Sequence, residues 1–345
     1  MAPPQASDDS SVLMKTAKNG ILPIVGLILG VMSTFASTPA RAQTPDLMKL
    51  PGFLNLGATT FADGFLPTKP SCSYFQYLRR NSWNKIHDKD GNKISAFRDL
   101  EINATGEASQ LACATRVKIL GGTLGFHTLV PVGDIHSSSD PSGIVLQDNG
   151  LGVGDLFFAT YLQMPPVIRN GRPVFSQRFE LTAIAPVGKF SSNKDLNLSS
   201  GYWSLNPYWA ATWFPHPKWE ITWRAHYLYN FETSKIATSL IPNAGQLFKN
   251  GQAGQAAWTN FTFGYKITDR VSIGLTGYYL KQLTDDKLNG VSYSGGKEEA
   301  LYMGPGAQFR FDKKNVMNIN VYFPVEDKNR PSGGVQLNLV YGYFF

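Results

Sequence analysis

The chain has 345 residues, a formal net charge of +7, 43% hydrophobic residues and a mean hydropathy of −0.17. These averages exclude a bundle of membrane helices, since no apolar run reaches the roughly 20 residues a spanning helix needs, and no Lys/Arg cluster with interleaved aromatics indicates nucleic acid. Charged residues at only 17%, aromatics at 13% and 33 glycines instead fit a barrel whose lipid-facing surface is hidden from any average by strict alternation.

Residues 1–42 read as a secretory signal. Lys15 and Lys18 form a basic start, Ile21 to Val31 a short apolar core, and Ala40-Arg41-Ala42 a small-residue site for cleavage before Gln43. Residues 43–72 follow as a segment rich in turn residues, with Pro45, Pro51, Pro67 and Pro70 beside Gly52, Gly57 and Gly64. This segment is expected either to lie in the periplasm or to fold into the barrel as a plug.

Residues 73–345 are expected to form the barrel, an all-β, transmembrane, antiparallel up-and-down fold of about twelve strands with both termini periplasmic. Period-2 alternation and turn residues place the strands near 73–84, 96–104, 110–131, 151–164, 176–186, 202–214, 218–231, 255–267, 271–283, 299–311, 315–325 and 334–345. The phase of the third slips at Gly121-Gly122, which reads as a β-bulge. In 218–231, Trp219, Ile221, Trp223, Tyr227 and Tyr229 share one face, and Glu220, Arg224 and His226 share the other. Aromatics on one face and mid-strand charge on the opposite one suit a strand with lipid outside and a polar lumen inside.

The last strand alternates to the final residue. Val335, Leu337, Leu339, Tyr341, Tyr343 and Phe345 form its apolar face. Asn338, Tyr343 and Phe345 form a candidate signal for the barrel-assembly machinery, although Val340 stands where such signals carry glycine. Counting back from this end, tight connections at 312–314, 268–270 and 215–217 alternate with long ones at 284–298, 232–254 and 187–201. Outer-membrane barrels sort short turns to the periplasm and long loops outward. The stretch 165–175, with eleven residues, breaks the pattern.

The lumen-facing charges are Arg116, Lys118, Arg178, Glu180, Glu220, Arg224, His226, Lys266 and Arg310. They are expected to form mainly a structural ion-pair network and secondarily a selectivity lining, with Arg178, Glu180 and Arg224 as its core. No cofactor or metal motif appears. The glycine-rich run Gly150 to Asp155 lacks a P-loop lysine, and Asp88 to Asn92 lacks the spacing of a calcium loop. Among the histidines only His127 and His226 fall on expected strands, so a lipid-modifying enzyme is the weaker alternative. Cys72 and Cys113 are the only cysteines, and the sequence leaves open whether they pair.

Several runs resemble the outer-membrane protein family linked to the meta-pathway of phenol degradation. They include Asn55-Leu56-Gly57, Asp63-Gly64-Phe65, Tyr74-Phe75-Gln76-Tyr77-Leu78 and Gly150-Leu151-Gly152-Val153-Gly154-Asp155-Leu156. Further runs are Ala185-Pro186-Val187-Gly188, Gly201-Tyr202-Trp203-Ser204 and His226-Tyr227-Leu228-Tyr229-Asn230. The resemblance implies a bacterial outer-membrane barrel that passes small hydrophobic or aromatic solutes, with outer-membrane lipid and lipopolysaccharide around it. It assigns no residue a role. A structural or adhesive barrel working through its outer loops is the other class of function. If the bulge at Gly121-Gly122 exists, it offers a lateral exit into the membrane.

Overall fold

The computed structural model describes residues 48–58, 60–237 and 249–345. The expected signal segment lies outside the described residues, as does part of the loop expected at 232–254. Twelve long antiparallel strands form one closed sheet: β1 (Ser71–Trp83), β2 (Glu101–Ile119), β3 (Gly122–Ser138), β4 (Leu156–Gln163), β5 (Arg172–Ala185), β6 (Ser204–His216), β7 (Trp219–Asn230), β8 (Ala256–Lys266), β9 (Val271–Gln282), β10 (Glu299–Arg310), β11 (Asn315–Lys328) and β12 (Gln336–Phe344). Each strand pairs with its neighbours in sequence. Closure comes from β1, which pairs Tyr74 with Leu111 of β2 on one side and with Tyr343 of β12 on the other. A closed barrel leaves no unpaired edge, the condition for strands to stand in hydrocarbon.

The expected count of twelve holds, but two of the expected segments are redrawn. The stretch 96–104 is not a separate strand: β2 begins at Glu101 and runs to Ile119. The phase slip at Gly121-Gly122 is not a bulge. Leu120 and Gly121 both take positive φ, 50° and 80°, between the paired residues Ile119 and Gly122. That is a two-residue hairpin turn of the kind whose twist matches the flanking strands. A bulge and a two-residue turn shift the alternation equally, so the pattern alone does not separate them. The real register shift lies between Ala114 and Lys118. With no bulge there, the lateral exit at Gly121-Gly122 falls away.

The exception at 165–175 also resolves. Val167–Arg169 pairs back onto β5, and Asn170 and Gly171 form a second turn with positive φ, 48° and 72°. All tight turns therefore lie at one end of the barrel and all long loops at the other. The first and last strands also meet at the tight-turn end, where the Phe345 N–H donates to the Cys72 carbonyl at 3.0 Å. Cys72 lies directly opposite Cys113 in the β1–β2 ladder, and the two form a disulfide. The long loops fold into a cap with small sheets of their own and two apolar clusters, one around Met48, Tyr202 and Leu288 and one around Ile86, Phe97 and Leu146.

Alternation decides which way each side chain points. Along β7, Glu220, Arg224 and His226 are buried while Trp219 and Tyr227 are exposed. The outer wall carries a broad apolar surface that includes Phe179, Leu181, Trp213, Phe263 and Phe323, far more than a water-soluble monomer exposes. On β12, Leu339 faces outward midway between Tyr343 and Val335, and its neighbour Asn338 is buried inside. Leu339→Arg is expected to lower folding stability in bilayers by about 2–4 kcal/mol, as for a cation set at mid-depth on a lipid-facing wall. Denaturant titration in liposomes measures it, and a change below a few tenths would place Leu339 outside the hydrocarbon.

Candidate functional site

The interior is not an open tube, because residues 48–70 run through it from the long-loop end to the tight-turn end. At the long-loop end the Met48 N–H donates to Asp286 Oδ2 at 3.0 Å, and the Tyr202 hydroxyl donates to the Lys49 carbonyl at 2.6 Å. At the tight-turn end the Thr68 carbonyl accepts from Lys118 Nζ at 3.1 Å and from the Thr123 hydroxyl at 2.9 Å. The segment then turns into β1. The two described ends of the chain thus lie on opposite sides, Met48 among the long loops and Phe345 beside the tight turns, although β1 starts where β12 stops.

Between these ends the interior is layered. In the long-loop half, Leu50, Phe53, Leu54 and Leu56 pack on inward-facing Phe157, Ile184, Leu228, Trp258, Tyr278, Tyr302 and Tyr322. A polar lumen is the sequence-based expectation, yet this half is an apolar core. It forms because the inner segment supplies the second layer that a sheet face needs for burial. Polar pins hold it: the Gly57 N–H donates to Asn260 Oδ1 at 3.0 Å, and the Gly57 carbonyl accepts from the Tyr322 hydroxyl at 2.8 Å and from Asn338 Nδ2 at 2.9 Å.

At mid-height lies a buried charge cluster. Arg224 Nε donates to Asp63 Oδ2 at 2.6 Å, and its Nη2 donates to Oδ1. Arg178 donates to the Asp63 carbonyl at 3.1 Å and stands 3.4 Å from Glu180, which pairs with His127 Nε2 at 2.6 Å. Arg224 also lies over the Tyr208 ring, 4.5 Å from its centroid. Two guanidiniums and two carboxylates balance, which is what makes four buried charges tolerable in one place. Just beyond, Glu220 accepts from the Ala62 N–H and from the Thr222 hydroxyl. Gly64 is pinned to the β5–β6 wall: its N–H donates to Thr212 Oγ1 at 2.9 Å, and its carbonyl accepts from Ser176 Oγ at 2.8 Å and Gln163 Nε2 at 3.0 Å.

Below the cluster the segment leaves space. A cavity of about 520 Å³ reaches from the tight-turn mouth to Arg178, Arg224, Glu180 and His127, with Phe75, Tyr77, Tyr208 and Phe214 in its walls. A second, of about 90 Å³, is lined by Phe53, Leu129 and Phe157 and shares Tyr77, His127, Tyr208 and Arg224 with the first. A third, of about 350 Å³, opens at the mouth between Ala62 of the segment and the ends of β5 to β10.

The nine charges singled out from the sequence fall into four groups. Arg178, Glu180, Glu220 and Arg224 are inside, tied to one another or to the inner segment. His226 is inside but belongs to the apolar half, stacked 4.1 Å from Trp258 with Nδ1 3.1 Å from Asn206 Oδ1. Lys118, Lys266 and Arg310 sit at the mouth, Lys266 bound to Asp269 at 2.6 Å. Arg116 is exposed on β2, within the register shift between Ala114 and Lys118. Sequence reading misses Asp63 as an ion-pair partner, because nothing in a loop of prolines and glycines shows what it faces. Asn338, a candidate assembly signal, also holds the inner segment. Tyr343 and Phe345 face outward, their rings 5.1 Å apart.

A family profile described as "MetA-pathway of phenol degradation" matches residues 84–338. The chain belongs to that family. No curated protein matches it in sequence. Among solved structures, the COG4313 outer membrane channel from Pseudomonas putida F1 is similar over 83% of this chain and 99% of its own, with 17% identity and a TM-score of 0.69. Looser likenesses are the β domain of the Bordetella autotransporter BrkA, 12% identical with a TM-score of 0.45 over 80% of this chain and 100% of its own, and a Pseudomonas aeruginosa FadL homologue, 10% identical with a TM-score of 0.38 over 87% and 98%. The phenol-degradation family member described here has the fold of a bacterial outer-membrane barrel, and the bacterial outer membrane is its location.

Proposed function

We propose that this barrel is a channel for passive uptake of small hydrophobic solutes, aromatic ones foremost, with residues 48–70 as the constriction that sets how much passes. The observation that carries this reading is the aromatic-walled cavity of about 520 Å³ that runs from the mouth to the Asp63–Arg224 cluster and ends where the inner segment packs against the wall. Ligand pockets are mostly apolar with a few convergent polar groups. Here Tyr77, Tyr208 and Phe214 supply the apolar part and the cluster supplies the polar part. In this reading the tight turns face the periplasm, lipopolysaccharide surrounds the long-loop half, and the outward Tyr343 and Phe345 present the last strand to the assembly machinery. The family's link to phenol degradation and the likeness to the Pseudomonas putida outer membrane channel support the same direction.

The test is uptake of labelled aromatic compounds by cells with and without the gene, and by liposomes with and without the purified protein. Faster entry of phenols and small arenes with the protein is expected. Equal rates for every compound would remove the reading.

A further inference from the structure

The mouth at the tight-turn end is lined by five cations, of which Lys266 is the one paired with a carboxylate among the described residues. Arg172, Lys218, Lys266, Arg270 and Arg310 all border the cavity of about 350 Å³ beneath Ala62. Two exposed carboxylates at this end are already engaged. Asp269 holds Lys266 at 2.6 Å. Asp312 accepts from the N–H groups of Lys314 at 2.7 Å and Asn315 at 2.8 Å, and the Lys314 N–H foremost holds its carboxyl below the ordinary carboxylate range. Glu220, which borders the same cavity, is buried and bound to Ala62 and Thr222. Among the described residues no carboxylate stands within ion-pair distance of Arg172, Lys218, Arg270 or Arg310. Arg310 borders the larger cavity as well, where Lys313 and Lys314 join it. Seven cations, Arg172, Lys218, Lys266, Arg270, Arg310, Lys313 and Lys314, thus stand around this opening with three carboxylates, Asp269, Asp312 and Glu220.

The cations stand beside flat apolar groups. Phe214, Pro173 and Pro217 line the same cavity. Guanidinium groups bind carboxylates in paired, charge-assisted hydrogen bonds, and a cleft lined by one sign of charge with low-dielectric walls raises the local concentration of the opposite sign. We propose that this vestibule binds small aromatic carboxylates, with Arg172 and Arg310 taking the carboxylate and Phe214 the ring. The proposal rests on the channel reading and narrows its solute class at one end: the mouth selects monoanionic aromatics over neutral ones of the same shape.

Equilibrium dialysis of the purified full chain against labelled benzoate and benzyl alcohol tests it. These probes share a ring and differ in charge. Benzoate is expected to bind about tenfold more tightly, the worth of one charge-assisted contact, and to lose that margin when salt shortens the screening length. The Arg172→Gln, Arg310→Gln pair should abolish the margin, and the Arg172→Lys, Arg310→Lys pair should retain part of it. A gel-shift assay for the folded barrel accompanies each variant, so a misfolded protein is not mistaken for a lost site. Equal binding of the two probes, or a margin untouched by the glutamine pair in a folded protein, overturns the proposal. Neither result bears on uptake of neutral solutes, which the liposome assay reads separately.

Discussion

Asp63→Ala is expected to release the inner segment and raise single-channel conductance several-fold. Asp63 accepts two hydrogen bonds from Arg224, and its carbonyl accepts one from Arg178, and all three side chains are more than nine-tenths buried. Removing one partner of a buried ion pair typically costs about 3–5 kcal/mol, most of it from the charge left behind. Here the charges left behind are two guanidiniums facing Glu180 alone. The wall cannot relieve that imbalance, because Arg178 and Arg224 sit on strands fixed by their ladders: Arg178 pairs with Ala210 and Arg224 with both Ala210 and Asn260. Residues 48–70 can relieve it by withdrawing and letting water reach the cations. The cost should therefore appear as an opened pore rather than an unfolded barrel.

Planar-bilayer recording of the variant beside the parent protein decides the matter, with a heat-modifiability gel to confirm the fold. Unchanged current through a folded Asp63→Ala barrel would mean that the segment does not limit conduction. Adding Arg224→Met restores the charge balance and should close the pore again in part. That coupling is expected of neighbours sharing one network and not of independent sites.

How much of this is legible in the sequence depends on which feature carries a period. Strands with lipid on one face and lumen on the other announce themselves, and β7, β8 and β12 lie within a residue or two of where alternation places them. The tight turns at 312–314 and 268–270 are visible for the same reason, as breaks between two clear phases. Gly121-Gly122 is misread because a bulge and a two-residue turn displace the phase equally. Only the ladder, in which Ile119 meets Gly122, distinguishes them. The inner segment carries no period at all. Its contacts are made by single backbone groups, such as the Gly57 carbonyl and the Gly64 N–H, with side chains more than a hundred positions away. Likewise the inward charges of β5 and β7 can be seen, while Asp63, which completes their cluster, cannot. The apolar half of the interior escapes for a related reason. Leu228, Leu280 and Tyr322 alternate with outward apolar residues, so those stretches look uniformly apolar, and the sequence does not say that an inner layer covers them.

Gly64→Ala separates seating from charge, since it removes no polar group. A Cβ at Gly64 would stand 2.5 Å from the Ser176 carbonyl oxygen and 2.5 Å from the Thr212 nitrogen, both backbone atoms of the wall. Ser176 and Thr212 are paired across β5 and β6, so neither can move aside without breaking the ladder. The glycine is thus required by close approach. Forcing the segment off the wall loses its bonds with Thr212, Ser176 and Gln163, and at roughly 0.5–1.5 kcal/mol for each net hydrogen bond the loss is about 1.5–4.5 kcal/mol. Conductance should rise with the barrel intact, as is expected for Asp63→Ala, although every charge is still present. If both substitutions act by unseating one segment, the double variant conducts no more than the more open single variant. If each widens the pore separately, their effects add, and the view of residues 48–70 as a single cooperative constriction fails.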